Sequence, residues 1–227
     1  MKQLLFFGAL VMSTVCMVSI ASADFVEGRI SSGDDPLPVP VVQPVSRVNY
    51  DSLINFDEAD QPCGFMDTVP LSFEYLEQNV VFSGPEPGSG GAVLNECGNF
   101  GISGHSAPNF LAFNCDVQYG GGGYASAPER LDFMIPVTAV SALVGASSYA
   151  GFSLEMKAYD SDDVLLVSTS IILASNLQEI SVESADISYV VFGQEEVCVW
   201  VLDDLGFDLG SVAEDETTWD GIKSMYR

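Results

Sequence analysis

The chain has 227 residues, of which 32 are acidic and 7 basic, for a formal charge of −25. A polymer this negative repels nucleic acid and anionic lipid, which excludes those two partner classes. Nearly half of the residues are apolar, enough to core one domain of about 200 residues.

The N-terminus has the layout of an export signal. Lys2 precedes an apolar run over residues 4–20, and Ala21-Ser22-Ala23 supplies a small-residue cleavage site before Asp24. The run is marginal for a membrane span and is interrupted by Ser13, Thr14 and Ser19. Residues 1–23 are therefore expected to be a signal peptide, and no later apolar run is long enough to span a bilayer. The expected location is outside the cytoplasm: secreted, periplasmic or on the cell surface. Residues 24–48 hold Pro36, Pro38, Pro40 and Pro44, which block helix and ladder pairing. They are expected to form a disordered, Pro-rich linker.

Residues 49–209 read as one all-β domain. Strand candidates are 53–56, 79–83, 92–95 and 110–114, then 130–135 and 137–144. Further on come 152–159, 164–173, 180–182, 187–192 and 197–202. In 152–159 the alternation is strict: Phe152, Leu154, Met156 and Ala158 share one face, with Ser153, Glu155, Lys157 and Tyr159 on the other. Asp160-Ser161-Asp162-Asp163 makes a hairpin turn to the next strand. Short strands at regular spacing predict a β-sandwich of the jelly-roll kind. Residues 210–227 form a short C-terminal tail, with a short helix possible only there.

Cys16 leaves with the signal, and Cys63, Cys97, Cys115 and Cys198 remain. Four cysteines in an exported chain predict two disulfides, with three connectivities open. The preferred pairing is Cys63–Cys97, which joins two loop-like segments, and Cys115–Cys198, which ties the middle of the chain to its last strand. A single histidine and no C-x-x-C argue against zinc.

Acids gather at the two ends of the domain. Asp57 and Glu58 follow the first strand, and Asp203 and Asp204 end or interrupt the last. First and last strands of a jelly roll often lie side by side, so these four carboxylates are the candidate ligands of a structural calcium; ordinary turn and edge acids are the competing reading. Asp160, Asp162 and Asp163 lack the glycine and distal glutamate of a calcium loop. Catalysis is not expected. Gly101-Ile102-Ser103-Gly104-His105 is not a nucleophile elbow, because His105 stands where its last glycine belongs. No carboxylate pair is singled out for glycoside hydrolysis. Trp200 lies between valines and reads as core. Tyr119 and Tyr124, beside the glycine tip 120–123, and Trp219 in the tail are the candidate aromatic contacts for a ligand.

Several segments resemble one group of exported bacterial β-sandwich domains: Ile54-Asn55-Phe56-Asp57, Pro62-Cys63-Gly64-Phe65, Val81-Phe82-Ser83-Gly84-Pro85, residues 109–114, and Trp200-Val201-Leu202-Asp203-Asp204-Leu205. Such domains recur in surface proteins with PEP-CTERM sorting tails and are similar in layout to galactose-binding-like and carbohydrate-binding jelly rolls. The resemblance implies a non-catalytic module, with a glycan or an envelope component as partner, and it adds weight to Asp57 and Asp204 as calcium ligands. The tail departs from the sorted proteins. Its Thr218-Trp219-Asp220-Gly221-Ile222-Lys223 and Tyr226-Arg227 are similar to a short Thr-Trp-Gly-x-Ile-Lys-x-x-Tyr-Arg ending, with Asp220 in the glycine's place.

Overall fold

The computed structural model describes residues 50–115, 117–194 and 196–210. The expected signal peptide, the Pro-rich linker and the tail with Trp219 lie outside the described residues. Among the described residues nine strands form one antiparallel system: β1 (Ser52–Ile54), β2 (Val80–Ser83), β3 (Ala92–Asn95), β4 (Asn109–Phe113), β5 (Glu129–Gly145), β6 (Ser153–Tyr159), β7 (Leu165–Ile172), β8 (Gln178–Phe192) and β9 (Trp200–Leu209). Short 3-10 turns at Phe65–Asp67 and Leu76–Gln78 are the only helical elements among the described residues. The fold is the expected all-β sandwich.

The two layers share β5 and β8. The first half of β5 pairs with β2 and with the end of β8, which in turn pairs with β6, and β6 with β7. The second half of β5 pairs with the start of β8 and with β9, which carries β4 and then β3 on one stretch and β1 on another. A chain that changes layers must bend, and a bulge is the usual way to do so. The β5–β8 register shifts between Asp132 and Val137, around Pro136. Asn79, at φ +74, holds that bend: its Oδ1 accepts from Ile135 N at 2.6 Å, and its Nδ2 donates to Ile135 O at 2.9 Å.

These long strands correct the sequence reading, which split 130–144 at Pro136 and 180–192 after Val182. For the last strand it left Asp203 and Asp204 as either an end or an interruption, and they are an interruption. In the structure β9 runs on to Leu209, and Asp204, at φ +47, sits where the β5–β9 register shifts. Proline and paired acids read as stops in sequence because each costs a regular ladder; a bulge absorbs both.

Between the layers lies one apolar cluster, including Phe56, Phe82, Phe113, Phe192, Trp200 and Phe207. Trp200 is 1% exposed, as expected of a core residue, and its ring stacks on Phe113 at 4.1 Å. A second cluster covers the outer side of β3, β4 and the start of β9, where loop residues Phe65, Ile102, Tyr119 and Ala125 pack on Leu94, Phe110 and Val201. Both faces of β4 are therefore buried, which is why its sequence runs apolar without alternation. Cys63–Cys97 and Cys115–Cys198 both form disulfides.

Candidate functional site

The expected meeting of first and last strands occurs. β1 pairs antiparallel with β9, with Ile54 opposite Leu205. Asp57, Glu58 and Asp203, just beyond that pair, are engaged by protein groups. Asp57 Oδ1 accepts from Asn109 N at 2.9 Å, and Glu58 Oε2 accepts from Tyr75 Oη at 2.9 Å. Burial and the Glu58 contact push the Tyr75 hydroxyl pKa up.

Asp203 is fully buried. It accepts from Ser106 N at 2.5 Å, from Ser106 Oγ at 3.0 Å and from Asp204 N at 2.7 Å. Burial, and then the neighbouring Asp204 charge, raise its pKa to about 8. Raised carboxyl values mark many catalytic acids. This one is 0% exposed and is held by backbone and serine donors. Among the described residues, no three His, Cys, Asp or Glu side chains converge on a common metal position. One unmatched acceptor stands nearby: Asn109 is 0% exposed and its Oδ1 has no partner, while its Nδ2 donates to Phe56 O and Ala59 O.

The remaining sequence candidates separate. Tyr119 is 1% exposed; its ring packs on Phe65 and its hydroxyl donates to Gly90 O, so it presents no ring face to solvent. Tyr124 is exposed as expected, and Ser103 Oγ pairs with Asn176 Oδ1 while the His105 ring lies edge-on to Phe110. Asp160 organises the hairpin turn by accepting from Asp162 N and Val164 N, both at 2.9 Å.

A different surface gathers polar and aromatic chemistry: the outer face of the β2–β5–β8–β6–β7 layer. Strand alternation buries Leu131, Val190, Phe192, Leu154, Met156 and Ala158. It turns their neighbours Arg130, Asp132, Tyr189, Glu155, Lys157 and Tyr159 outward. Register places Asp132, Tyr189 and Tyr159 in one cross-strand row and Arg130, Val191 and Lys157 in the next.

The rings of Tyr159 and Tyr189 stack at 4.7 Å with 9° between planes, and the Arg130 guanidinium lies 3.6 Å over the other side of Tyr189. Arg130 is held to Asp132 by Nε bonds of 2.9 Å and an Nη2 bond of 2.6 Å; Tyr189 Oη donates to Asp163 Oδ1 at 3.0 Å. Lys157 Nζ stands 2.7 Å from Glu155 Oε2. Tyr189 is only 8% exposed because surface neighbours cover it, not the core. The Asp132 contact raises the Arg130 pKa. Arg130 and Lys157 are the only lysine or arginine among the described residues, and both sit here.

Exposed pairs of this kind add little stability, about 0–1 kcal/mol each. Their effect is to fix the rotamers of a flat array of ring edges, hydroxyls, carboxylates and cationic donors. The sequence analysis placed Lys157 and Tyr159 on the solvent side but did not join them to Arg130 or Tyr189. The available signal was the isolation of two basic residues inside an acidic chain, both on alternating strands.

No protein-family model matches the chain, and no curated protein does. Solved structures give loose likenesses. The K2 cleaved adhesin domain of Lys-gingipain is 12% identical at TM-score 0.43, over 70% of this chain and 99% of that one. TmCBM61, solved with β-1,4-galactotriose, is 12% identical at TM-score 0.38, over 62% and 99%. BiXyn10A CBM1 is 9% identical at TM-score 0.31, over 72% and 100%.

Proposed function

We propose that this is an exported, non-catalytic β-sandwich module that binds a glycan on the outer face carrying Tyr159, Tyr189, Arg130 and Lys157. The observation that supports it is the asymmetry of the sandwich. Loops bury the outer side of β3 and β4 in a second core, whereas the opposite layer leaves a pre-arranged polar and aromatic face at its surface. Hydroxyl-rich ligands are held by planar donors and acceptors beside aromatic rings. Both cations are already paired with carboxylates in a chain of charge −25, so a neutral polysaccharide suits the face better than a polyanion. A glycan array followed by polysaccharide pull-down tests this. Binding of a neutral glycan that is lost in Tyr159→Ala/Tyr189→Ala supports the reading, and no hit across the array counts against it. A structural partner in the envelope is the alternative; co-purification with envelope proteins in the absence of glycan binding favours it.

Calcium belongs to the same proposal as a structural ion near Asp57, Glu58, Asp203 and Asp204. Its support is the partnerless Oδ1 of Asn109, the residue whose N–H bonds Asp57. Hard oxygen ligands of this type suit calcium, and it would act by tying β1 to β9. A melting temperature that falls on chelation and recovers with calcium supports the ion; indifference to chelator removes it.

A further inference from the structure

We infer that two copies of this chain pair through β7, antiparallel and edge to edge, about a two-fold axis at Thr169. β7 ends the sheet order, and among the described residues only β6 pairs with it. Natural edges are shielded by lysine, proline, bulges or a covering segment. Here a bulge opposite Tyr159 protects one end, and Gln178 Nε2, donating to Ile172 O at 3.2 Å, covers the other. The middle of the strand has neither device. It also carries no charge, although the protein's net charge is −25, so a like copy meets no repulsion there.

The occupant is chosen by the strand's own sequence. Residues 165–173 read Leu-Leu-Val-Ser-Thr-Ser-Ile-Ile-Leu, which about Thr169 is palindromic in chemical class. Pairing two copies at that register sets Ser168 opposite Ser170 and Val167 opposite Ile171, between the two shielded ends. The backbone phase agrees. Leu173 N donates to Phe152 O, so antiparallel alternation turns the groups of Thr169 and Ile171 toward β6 and those of Ser168 and Ser170 outward. Each Ser168–Ser170 pair then exchanges both of its bonds across the axis. Val167 and Ile171, half-buried against the core, meet their counterparts on the inner face and extend the core across the junction. The inference is independent of the glycan reading. Its consequence would be to set two outer faces in one continuous sheet, a bivalent surface.

The test uses purified protein at roughly 100 μM, above the micromolar Kd of a small interface. Sedimentation velocity should give a dimer. Ser170→Pro removes one outward N–H and leaves the β6 ladder intact, and Ser168→Lys/Ser170→Lys sets lysines against lysines; both should sediment as monomers with native circular dichroism. Thr169→Cys lies opposite itself in a close, non-hydrogen-bonded pair and should form a covalent dimer on a non-reducing gel; Ser168→Cys, opposite Ser170, should not. A monomeric native chain overturns the inference, and if its β7 amides are also protected from exchange, another segment such as residues 24–48 holds the edge. Dimers that survive both edge variants, or equal cross-linking by the two cysteine variants, overturn it as well.

Discussion

Replacing Cys115 and Cys198 by serine should cost more stability than any single surface change in this domain. The bridge spans 83 residues, and loop-closure entropy of that size is worth about 4.6 kcal/mol at 25 °C; the 34-residue span of Cys63–Cys97 gives about 3.8 kcal/mol. The longer bridge staples strands that are already neighbours. Phe113, two residues before Cys115, is opposite Trp200, two residues after Cys198. The native ladder therefore holds without the bond, and the loss falls on the unfolded chain, which gains freedom. A domain of this size has about 5–15 kcal/mol in all, so either loss takes a large share and both together leave little. Urea unfolding of the two double-serine variants measures it. With a slope near 2 kcal/mol/M, the Cys115/Cys198 variant should shift its midpoint down by about 2 M, and the reduced wild-type chain should be close to unfolded. An unchanged midpoint in that variant, or a reduced chain as stable as the oxidised one, would refute the reasoning and with it the need for an oxidising compartment.

Glu129 is fully buried with Oε2 on Gly91 N at 2.8 Å and Oε1 unpartnered, and burial raises its pKa well above the usual carboxyl value. The folded state thus keeps a proton that the unfolded chain releases. Its contribution is complete below the unfolded carboxyl pKa and is lost as pH rises through the folded value. Glu129→Gln cannot titrate, so the stability gap between variant and wild type should move in the variant's favour from pH 4.5 to pH 9 in urea melts, whereas a constant gap would contradict the burial argument. Gly123, at φ +83, faces Gly88 O, which an added Cβ would approach to 1.7 Å. Gly123→Ala should therefore displace the loop over residues 84–91 and lower the melting temperature, and an unchanged melt would mean that the loop yields freely.

Much of the architecture was readable because alternation is local. Ser153–Tyr159 carries its burial pattern in its sequence, and of the three connectivities that four cysteines left open, the preferred one is the one that forms. What was hidden depends on distant chain. Tyr119 lies beside a glycine tip and reads as exposed, yet Phe65 and Gly90, far off in sequence, close over it. The bends of β5 and β8 were unreadable for the same reason, since a bulge is fixed by the partner strand and not by Pro136 alone. The Arg130–Tyr189–Tyr159 stack needs three strands in register, and no window of sequence contains it.

The central claim is that this stack is a ligand surface, and chemical-shift mapping by NMR during titration with the best-binding neutral polysaccharide addresses it most directly. The largest shifts should fall on Arg130, Lys157, Tyr159 and Tyr189. Shifts confined to the Tyr124 loop or to the acids beside β1, with this face silent, would contradict it.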